Sequence, residues 1–478
     1  MIESFFREMR YGVRALLRDK GFAATVILTL AFCLAANTAT FAIVNSVLLR
    51  PLSMPKADQI VVMANRYPNA GVPDSNQSSS GDYFDRLRAV TALQEQAMFR
   101  IVDETLYHDR TAEQVTGLSV TPSFFPLVHV APALGRAFTA TEAEPGKDQE
   151  IILSNALWQE LYGGGRRALG RTVRIGGKPY TVVGVMPRGF RFLNSDVRFL
   201  TPLAFSLEDR NRYHQNNYYS VGRLKPGATI AQVQAQVNAL NAANLERFPH
   251  FKEALVNAGF YTKVERLQDV MVKDVKSVLY LLWGGALFVL FIGALNLANV
   301  VLARATVRRK AIATRLALGA SRAHLLRQFI TEHVLVALAG GIAGIVLGDA
   351  LLRTLTAIGL DHFPRASEVR IDGVVVACAL GISAAVGVVL GILPLVHNFK
   401  TNIEKVLHEG GRTGTSGMGT HRLRQALVGA EIGFAFVLLM GAGLLLTSFR
   451  NLAACRSGLH KQTCSHGWHE RSVVKIFR

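Results

Sequence analysis

The sequence predicts an integral membrane α-helical bundle with an α+β extracytoplasmic domain inserted between the first and second transmembrane helices. Half of the 478 residues are apolar. The longest apolar stretches are concentrated near the N-terminus and in the C-terminal half, and each is long enough to cross a bilayer. A mixed, polar stretch at 50–276 separates the first span from the others and is large enough to form its own core.

The first apolar stretch, 21–49, has no charged residue between Lys20 and Arg50. It is too long for the apolar region of a cleaved signal peptide, so it is predicted to be an uncleaved first transmembrane helix. The third stretch carries Glu332 and Asp349 near its ends, where ionisable side chains reach the interface at low cost. Four further transmembrane helices are predicted at 277–303, 329–352, 373–395 and 426–449.

Loop charge predicts the orientation of these helices. The formal net charge of +19 could indicate nucleic-acid binding, but the basic residues cluster beside the apolar stretches. Such clusters are retained in the cytoplasm during insertion. Residues 1–20, 304–328 and the linker 396–425 are therefore predicted to be cytoplasmic, and 50–276 to be extracytoplasmic. No nucleic-acid partner is expected.

The extracytoplasmic segment shows interleaved strand and helix patterns. Two alternating runs flank Gly176 and Gly177, which predicts a β-hairpin. Thr229 and Gln232 form a capping-box pattern ahead of a helix. All four cysteines lie outside this segment, so its core must hold it together without disulfides.

No motif predicts catalysis. A P-loop needs a glycine-rich turn ending in Lys-Ser or Lys-Thr, and neither Gly146-Lys147-Asp148 nor Gly177-Lys178-Pro179 provides one. The chain also lacks HExxH and CxxC patterns. It is therefore predicted to be no enzyme, with no catalytic residues, no metal and no cofactor of its own.

The basic segment 308–328 predicts a bent, amphipathic cytoplasmic elbow. Ile312 and Leu316 are one helical turn apart, Gly319 can end that helix, and Ser321 can cap the next. Two interpretations remain open for this elbow, binding of anionic membrane lipids and docking of a partner protein.

Small residues recur at four-residue spacing in two of the predicted spans. They are Gly340, Gly344 and Gly348 in one, and Gly387 and Gly391 in the other. This spacing predicts close helix packing, although glycine is also simply common in membrane helices. Glu431 could serve as a relay, but its position near the start of the last span favours an interfacial residue.

Several segments resemble the MacB-like, FtsX-like ABC transporter permeases, within them the duplicated orphan permeases of the Acidobacteria type. The resemblance covers nearly the whole chain up to about Leu452. The cytoplasmic elbow Arg315–Arg322 is one matching segment. The others are Arg10–Arg14, Ala36–Phe41, Val44–Leu52, Val120–Phe125, Leu134–Phe138, Leu169–Val173 and Tyr180–Pro187.

The resemblance implies four helices per permease unit, a periplasmic core domain after the first helix, and a separate cytoplasmic ABC ATPase subunit. ATP-driven motion would pass through the helices to the outer domain, in a multi-pass bacterial inner-membrane protein. Arg315, Gly319, Ala320 and Ser321 would lie at the ATPase-coupling surface. A homodimer or a second permease unit would complete the assembly.

The sequence departs from the long family members near its end. The span at 426–449 resembles the first helix of a second permease unit, and the tail at 453–478 is atypical, with two of the four cysteines and many basic residues. We therefore expect a truncated or frameshifted reading frame.

Two functions follow as expectations. The first is a permease subunit for export or mechanotransmission that acts on a hydrophobic, peptide or lipoprotein cargo. The alternative is a non-transporting signal transmitter that regulates an extracytoplasmic enzyme. A receptor with one sensor domain is disfavoured by the additional spans.

Overall fold

The computed structural model describes residues 19–50, 54–71, 75–108, 111–192, 197–307, 314, 318, 321–358, 369–398 and 418–456. They divide into two compact units. The described residues between 54 and 273 form the first, an α+β domain, and those up to Arg50 and from Asp274 onward form the second, which is helical.

The helical unit is built from long apolar helices. Five helices in the described part of the chain are long and apolar enough to cross a membrane, which confirms the predicted fold class. The first ends in a single π-helical turn, Asn45–Leu49. The helices are α1 (Lys20–Val44), α7 (Leu267–Val307), α8 (Arg322–Ile358), α9 (Gly373–Asn398) and α10 (Met418–Arg456).

The α+β domain contains one mixed sheet, which has ten strands among the described residues. Their order is β10-β1-β9-β2-β3-β8-β5-β7-β4, and β6 pairs with β2 and β7. Pairs β3–β8 and β5–β7 are parallel, and the other pairs are antiparallel. The strands are β1 (Ile60–Arg66), β2 (Leu93–His108), β3 (Thr111–Val120), β4 (Leu134–Gly135), β5 (Glu150–Leu153), β6 (Thr172–Ile175), β7 (Lys178–Val185), β8 (Phe199–Pro202), β9 (Tyr219–Leu224) and β10 (Tyr261–Arg266).

Five α-helices in the described part of the domain complete it. Short 3-10 turns occur at Ala57–Gln59, Ala140–Ala143, Arg166–Ala168 and Asp209–Asn211. The helices are α2 (Ser80–Ala89), α3 (Phe124–Val128), α4 (Asn155–Tyr162), α5 (Ile230–Arg247) and α6 (Pro249–Asn257).

Successive strand residues face opposite sides of the sheet and enter different cores. Leu200 packs in the core that also holds Phe99, Phe124 and Phe192, whereas its neighbour Phe199 packs in a second core. Strand geometry requires this alternation, because side chains point to alternate faces. The Phe124 and Phe192 rings meet edge to face at 4.7 Å between centroids, an arrangement that aromatic pairs prefer.

Arg223 is fully buried on β9 and is held by backbone carbonyls. Its Nε donates to the Leu127 carbonyl at 2.6 Å, and its terminal nitrogens donate to the carbonyls of Lys56 at 3.0 Å and Pro55 at 3.2 Å. Burial lowers the pKa of this guanidinium from its ordinary value. The side chain thus ties the chain entering β1 and the end of α3 to the centre of the sheet.

Two local sequence predictions are confirmed. Strands β6 and β7 form an antiparallel hairpin whose turn residues, Gly176 and Gly177, have φ of +57° and +79°. Both angles lie in the left-handed region that glycine adopts without strain. Thr229 and Gln232 form the reciprocal capping box of α5, with Thr229 N donating to Gln232 Oε1 at 2.9 Å.

The edge strand β10 is partly covered by a side chain from α5. Gln234 Nε2 donates to the Thr262 carbonyl at 2.7 Å, and Gln234 Oε1 accepts from the Val264 amide at 2.9 Å. The amide group therefore takes the place of a neighbouring strand at these two positions. Covering an edge in this way limits pairing with other chains.

Candidate functional site

Helices α1 and α8 meet along the first set of glycines, here called the glycine seam (Gly340, Gly344 and Gly348). A Cβ added to Gly340 would lie 2.9 Å from Leu30 Cβ, and one added to Gly344 would lie 2.8 Å from Leu34 Cβ. At Gly348 the shortest distances are 3.2 Å, to Ala35 O and Thr38 Cβ. The α8 backbone thus lies directly against α1, as in other membrane helix pairs with small residues at the interface.

Helices α8 and α9 approach each other even more closely. A Cβ added to Gly387 would lie 2.7 Å from Val334 Cα, and one added to Gly391 would lie 2.7 Å from Ile330 Cα. These neighbouring atoms belong to the backbone, which cannot rotate away as a side chain can. The structure therefore brings together α1, α8 and α9 through the five glycines that the sequence singled out, and their importance for packing remains a prediction.

Polar groups connect α1 to α7. The side chain of Asn37 is buried, and its Nδ2 donates to the Ala286 carbonyl at 2.7 Å and to the Cys33 carbonyl at 3.1 Å. Gly293 of α7 lies against the Cys33 side chain. Hydrogen bonds between membrane helices typically contribute about 0.6 kcal/mol, up to about 1.7 kcal/mol. This contact was not predicted, because its partners are far apart in the sequence.

The extracytoplasmic end of α1 is joined to the start of α9. Asn45 Nδ2 donates to Asp372 Oδ2 at 3.1 Å, and Asp372 Oδ1 accepts from the Val375 amide at 3.0 Å. Asp372 therefore caps α9 while holding the π-helical turn that ends α1. An acidic cap also suits the positive end of the helix dipole.

At the opposite end of the helical unit, α1 and α7 are joined by an ion pair. Arg304 lies 2.9 Å from the carboxylate of Asp19, which also caps α1. The Arg304 guanidinium lies 4.0 Å from the centroid of the Phe22 ring, and His333 of α8 packs edge to face on that ring. Sequence reasoning assigned Arg304 only to a basic loop and gave Asp19 no role.

The elbow is only partly described. Arg315, Gly319 and Ala320 lie outside the described residues, so their predicted coupling role is not tested by the geometry. Ser321 directly precedes α8, and its Oγ accepts from the His324 amide at 3.3 Å. It therefore caps α8 as the sequence indicated, while its coupling role stays a prediction.

Helix α10 contacts α7 through one polar and several aromatic groups. Asn296 Nδ2 donates to Glu431 Oε1 at 2.8 Å. Phe434 packs against Phe288 and Phe291, with ring centroids 5.4 and 6.2 Å away. Glu431 thus has a hydrogen-bond partner on α7, which the sequence did not identify.

These features define a multi-pass membrane protein with a large α+β domain following the first membrane helix. The described residues contain no group of three or more His, Cys, Asp or Glu side chains that could hold a metal ion. The distinctive elements of the helical unit are the close helix contacts and the polar links at both ends of α1.

Two family models match the chain. The MacB-like periplasmic core domain matches residues 23–240, and the FtsX-like permease C-terminal domain matches residues 283–403. The protein is a MacB-like, FtsX-like permease of the ABC type. It is accordingly a multi-pass inner-membrane protein whose large domain is extracytoplasmic.

Curated relatives share modest identity with the chain. The macrolide export ATP-binding/permease protein MacB of Neisseria meningitidis is 24% identical over 300 residues, which cover 62% of this chain and 44% of that protein. The probable syringafactin export ATP-binding/permease protein SyfD of Pseudomonas syringae pv. tomato is 26% identical over 277 residues, 58% of this chain and 39% of that protein. The chain spans less than half the length of these relatives.

Solved structures with a local likeness include the periplasmic region of MacB from Actinobacillus actinomycetemcomitans. The match is 11% identical with a TM-score of 0.33, and covers 46% of this chain and 94% of that one. The extracellular domain of the noncanonic ABC-type transporter YknZ from Gram-positive bacteria is 17% identical with a TM-score of 0.30, covering 39% and 94%.

Proposed function

We propose that this permease works with a separate ATP-binding subunit in an export or mechanotransmission system that acts on extracytoplasmic cargo. The observation that carries the proposal is the position of α1, whose contacts include α7, α8 and α9. It is supported by the match of the chain to the permease part of proteins named as ATP-binding/permease exporters.

The glycine seam offers a route for motion between the helices. Helix α8 begins within the elbow, directly after Ser321, and at the glycine seam its backbone lies against α1. A displacement of the first turn of α8 would therefore be passed directly to α1, because closely packed helices move as bodies rather than deform. In the sequence, α1 and α7 are the helices that flank the extracytoplasmic domain.

The elbow residues Arg315, Gly319, Ala320 and Ser321 are proposed as the docking surface for the ATP-binding subunit. Gly319 would allow close approach and a left-handed turn, which a bulky residue resists. The competing interpretation, lipid binding, would depend on Arg308 and Arg309. Each basic residue near an anionic membrane surface contributes about 1 kcal/mol to such binding.

The test compares two sets of variants in membranes. Gly319→Leu should lose the co-purified ATP-binding subunit and its chain-dependent ATP hydrolysis, while Arg308→Glu with Arg309→Glu should mainly weaken lipid attachment. Gly381→Leu is the matched control, because the space around Gly381 is open within 4 Å. If Gly319→Leu inserts normally and retains both the subunit and the hydrolysis, the docking proposal is wrong and the lipid interpretation stands.

Reconstitution of the permease into vesicles tests whether it acts on a cargo. A vesicle assay with the ATP-binding subunit should show ATP-dependent release of a hydrophobic or peptide cargo from the extracytoplasmic side. Activation of an extracytoplasmic enzyme without any cargo release would instead support the non-transporting signal transmitter.

A further inference from the structure

A buried polar cluster lies in the α+β domain, where β1, α2, β10 and the segment before β9 meet. Arg86 of α2 and Thr262 of β10 are fully buried, and Asn65 of β1 is almost so. The Arg86 guanidinium donates to Asn65 Oδ1 at 3.0 Å and to Thr262 Oγ1 at 3.1 Å. Its charge is opposed by Asp82, whose Oδ2 lies 3.9 Å away.

The hydrogen bonds leading from Arg86 run in one direction. A guanidinium can only donate, so the Asn65 atom that faces it must be the carbonyl oxygen. Asn65 Nδ2 then donates to Asn216 Oδ1 at 2.9 Å, which leaves Asn216 Nδ2 to donate to the Tyr67 hydroxyl at 3.2 Å. The amide orientations are thereby fixed by the chemistry of a single permanently charged group.

The chain of donors ends at His214. Tyr67 Oη and His214 Nδ1 are 2.9 Å apart. With the Tyr67 oxygen accepting from Asn216, we assign the hydroxyl proton to the bond with His214, whose Nδ1 then accepts it. Only a neutral imidazole protonated on Nε2 can do so.

We propose that His214 is a proton-binding site through which the extracytoplasmic domain responds to acidity. Protonation places a hydrogen on Nδ1, opposite the Tyr67 proton, so the hydrogen bond is lost in its present direction and the Tyr67 hydroxyl must turn its proton away from His214. The proton is the ligand, and it is taken from the extracytoplasmic medium. This inference is independent of the proposed transport role.

The surroundings of His214 oppose a positive charge. The ring packs edge to face on Phe260, with centroids 4.8 Å apart, and on Tyr67. The charged groups facing it from α2 are Asp82 and Arg86, which have opposite effects on the His214 pKa. On its own segment, the neighbouring Tyr213 donates to Asp85 at 2.9 Å.

Burial is the largest effect and lowers the pKa of His214 below its ordinary value of 6.5. Burial likewise raises the pKa of Tyr67, which therefore keeps its proton. The unfolded chain binds a proton at His214 more readily than the folded domain does. Neutral His214 therefore contributes its full stabilisation of the folded domain above about pH 6.5, and this contribution is lost as the pH falls through the pKa of His214 in the folded state.

Protonation of His214 weakens the attachment of the segment that carries it. Arg212 and Tyr218, on either side of it, bind the start of α2 through the backbone: the Gly81 amide donates to the Arg212 carbonyl at 3.0 Å, and the Ser78 amide donates to the Tyr218 carbonyl at 2.7 Å. We expect these two amides to report the loss of the His214 link.

The experiment is hydrogen–deuterium exchange of the full chain in lipid nanodiscs, at about pH 7.5 and about pH 5, after correction for intrinsic exchange. In the wild type, protection of the Ser78 and Gly81 amides should fall by roughly two- to tenfold at the lower pH, the effect of losing one hydrogen bond. Tyr67→Phe should show the lower protection at both pH values.

Two substitutions make the test specific. His214→Asn keeps an acceptor for Tyr67 that does not titrate, and asparagine tolerates the φ of +61° at this position, so protection should become independent of pH. His250→Asn, at an exposed histidine of α6, should behave as the wild type. The proposal is overturned if wild-type protection does not change with pH, or if His214→Asn keeps the full response.

Discussion

The glycine seam gives a quantitative prediction for Gly344→Ala. The added Cβ would lie 2.8 Å from Leu34 Cβ and 3.2 Å from the Ala31 carbonyl oxygen. Carbon atoms pack best at about 3.5–4.0 Å, so α1 and α8 must separate locally by up to about 1 Å. Overpacking of this kind costs about 1–3 kcal/mol, and the backbone entropy that alanine saves offsets about 0.5–1 kcal/mol. We expect a net loss of about 1–2 kcal/mol.

The assay is reversible unfolding of the purified protein in mixed micelles, followed by circular dichroism. Gly381→Ala is the matched control on α9, because its Cβ would meet no atom within 4 Å. Gly348→Ala, with its nearest contacts at 3.2 Å, should lose less than Gly344→Ala. If Gly344→Ala unfolds at the same detergent fraction as Gly381→Ala, the close packing deduced for this seam is wrong.

Three further predictions concern the domain and the topology. Arg223→Met should destabilise the protein by about 3 kcal/mol or more, measured by urea unfolding, because the buried Leu127 carbonyl and the carbonyls of Lys56 and Pro55 all lose their donor. A loss under about 1 kcal/mol would contradict this. Gln234→Ala should lower the free energy of unfolding by about 1–2 kcal/mol, because two hydrogen bonds to β10 are lost. It should also increase concentration-dependent association through the uncovered edge strand, measured by light scattering. Unchanged association would contradict the protection of this edge by Gln234. The membrane orientation can be tested with single cysteines in a variant that lacks the native cysteines. A membrane-impermeant thiol reagent should label Lys178→Cys in intact spheroplasts, but Thr314→Cys only after permeabilisation. The reverse pattern would show that the predicted orientation is wrong.

Local sequence signals predicted local structure well. The hairpin at Gly176 and Gly177, the capping box at Thr229 and the cap at Ser321 each depend on residues within a few positions of one another. The membrane spans could be predicted equally well, because length and apolarity alone identify them. In each case the physical cause acts within a single element.

Contacts between distant parts of the chain were not predictable in this way. The four-residue spacing of the seam glycines indicated a packing face, but nothing in the pattern named α1 as the partner. In the sequence, Asn37 is a single polar residue in an apolar helix, and only the structure shows that its hydrogen-bond acceptor is the Ala286 carbonyl on α7. The same holds for His214, whose neutral state follows only from the order of donors that begins at Arg86.

The dependence of α1 on later helices has a consequence for biosynthesis. Helix α8 emerges roughly 280 residues after α1, and at about 5–20 residues per second this delay is on the order of 15–60 s. During that time the surface that will receive the seam glycines faces lipid or the insertion machinery rather than its final neighbours, and Asn37 does so until α7 has been made. A nascent chain in this condition is open to quality-control proteolysis. Substitutions in the seam should therefore reduce the amount of protein in the membrane even where the few molecules that assemble remain active.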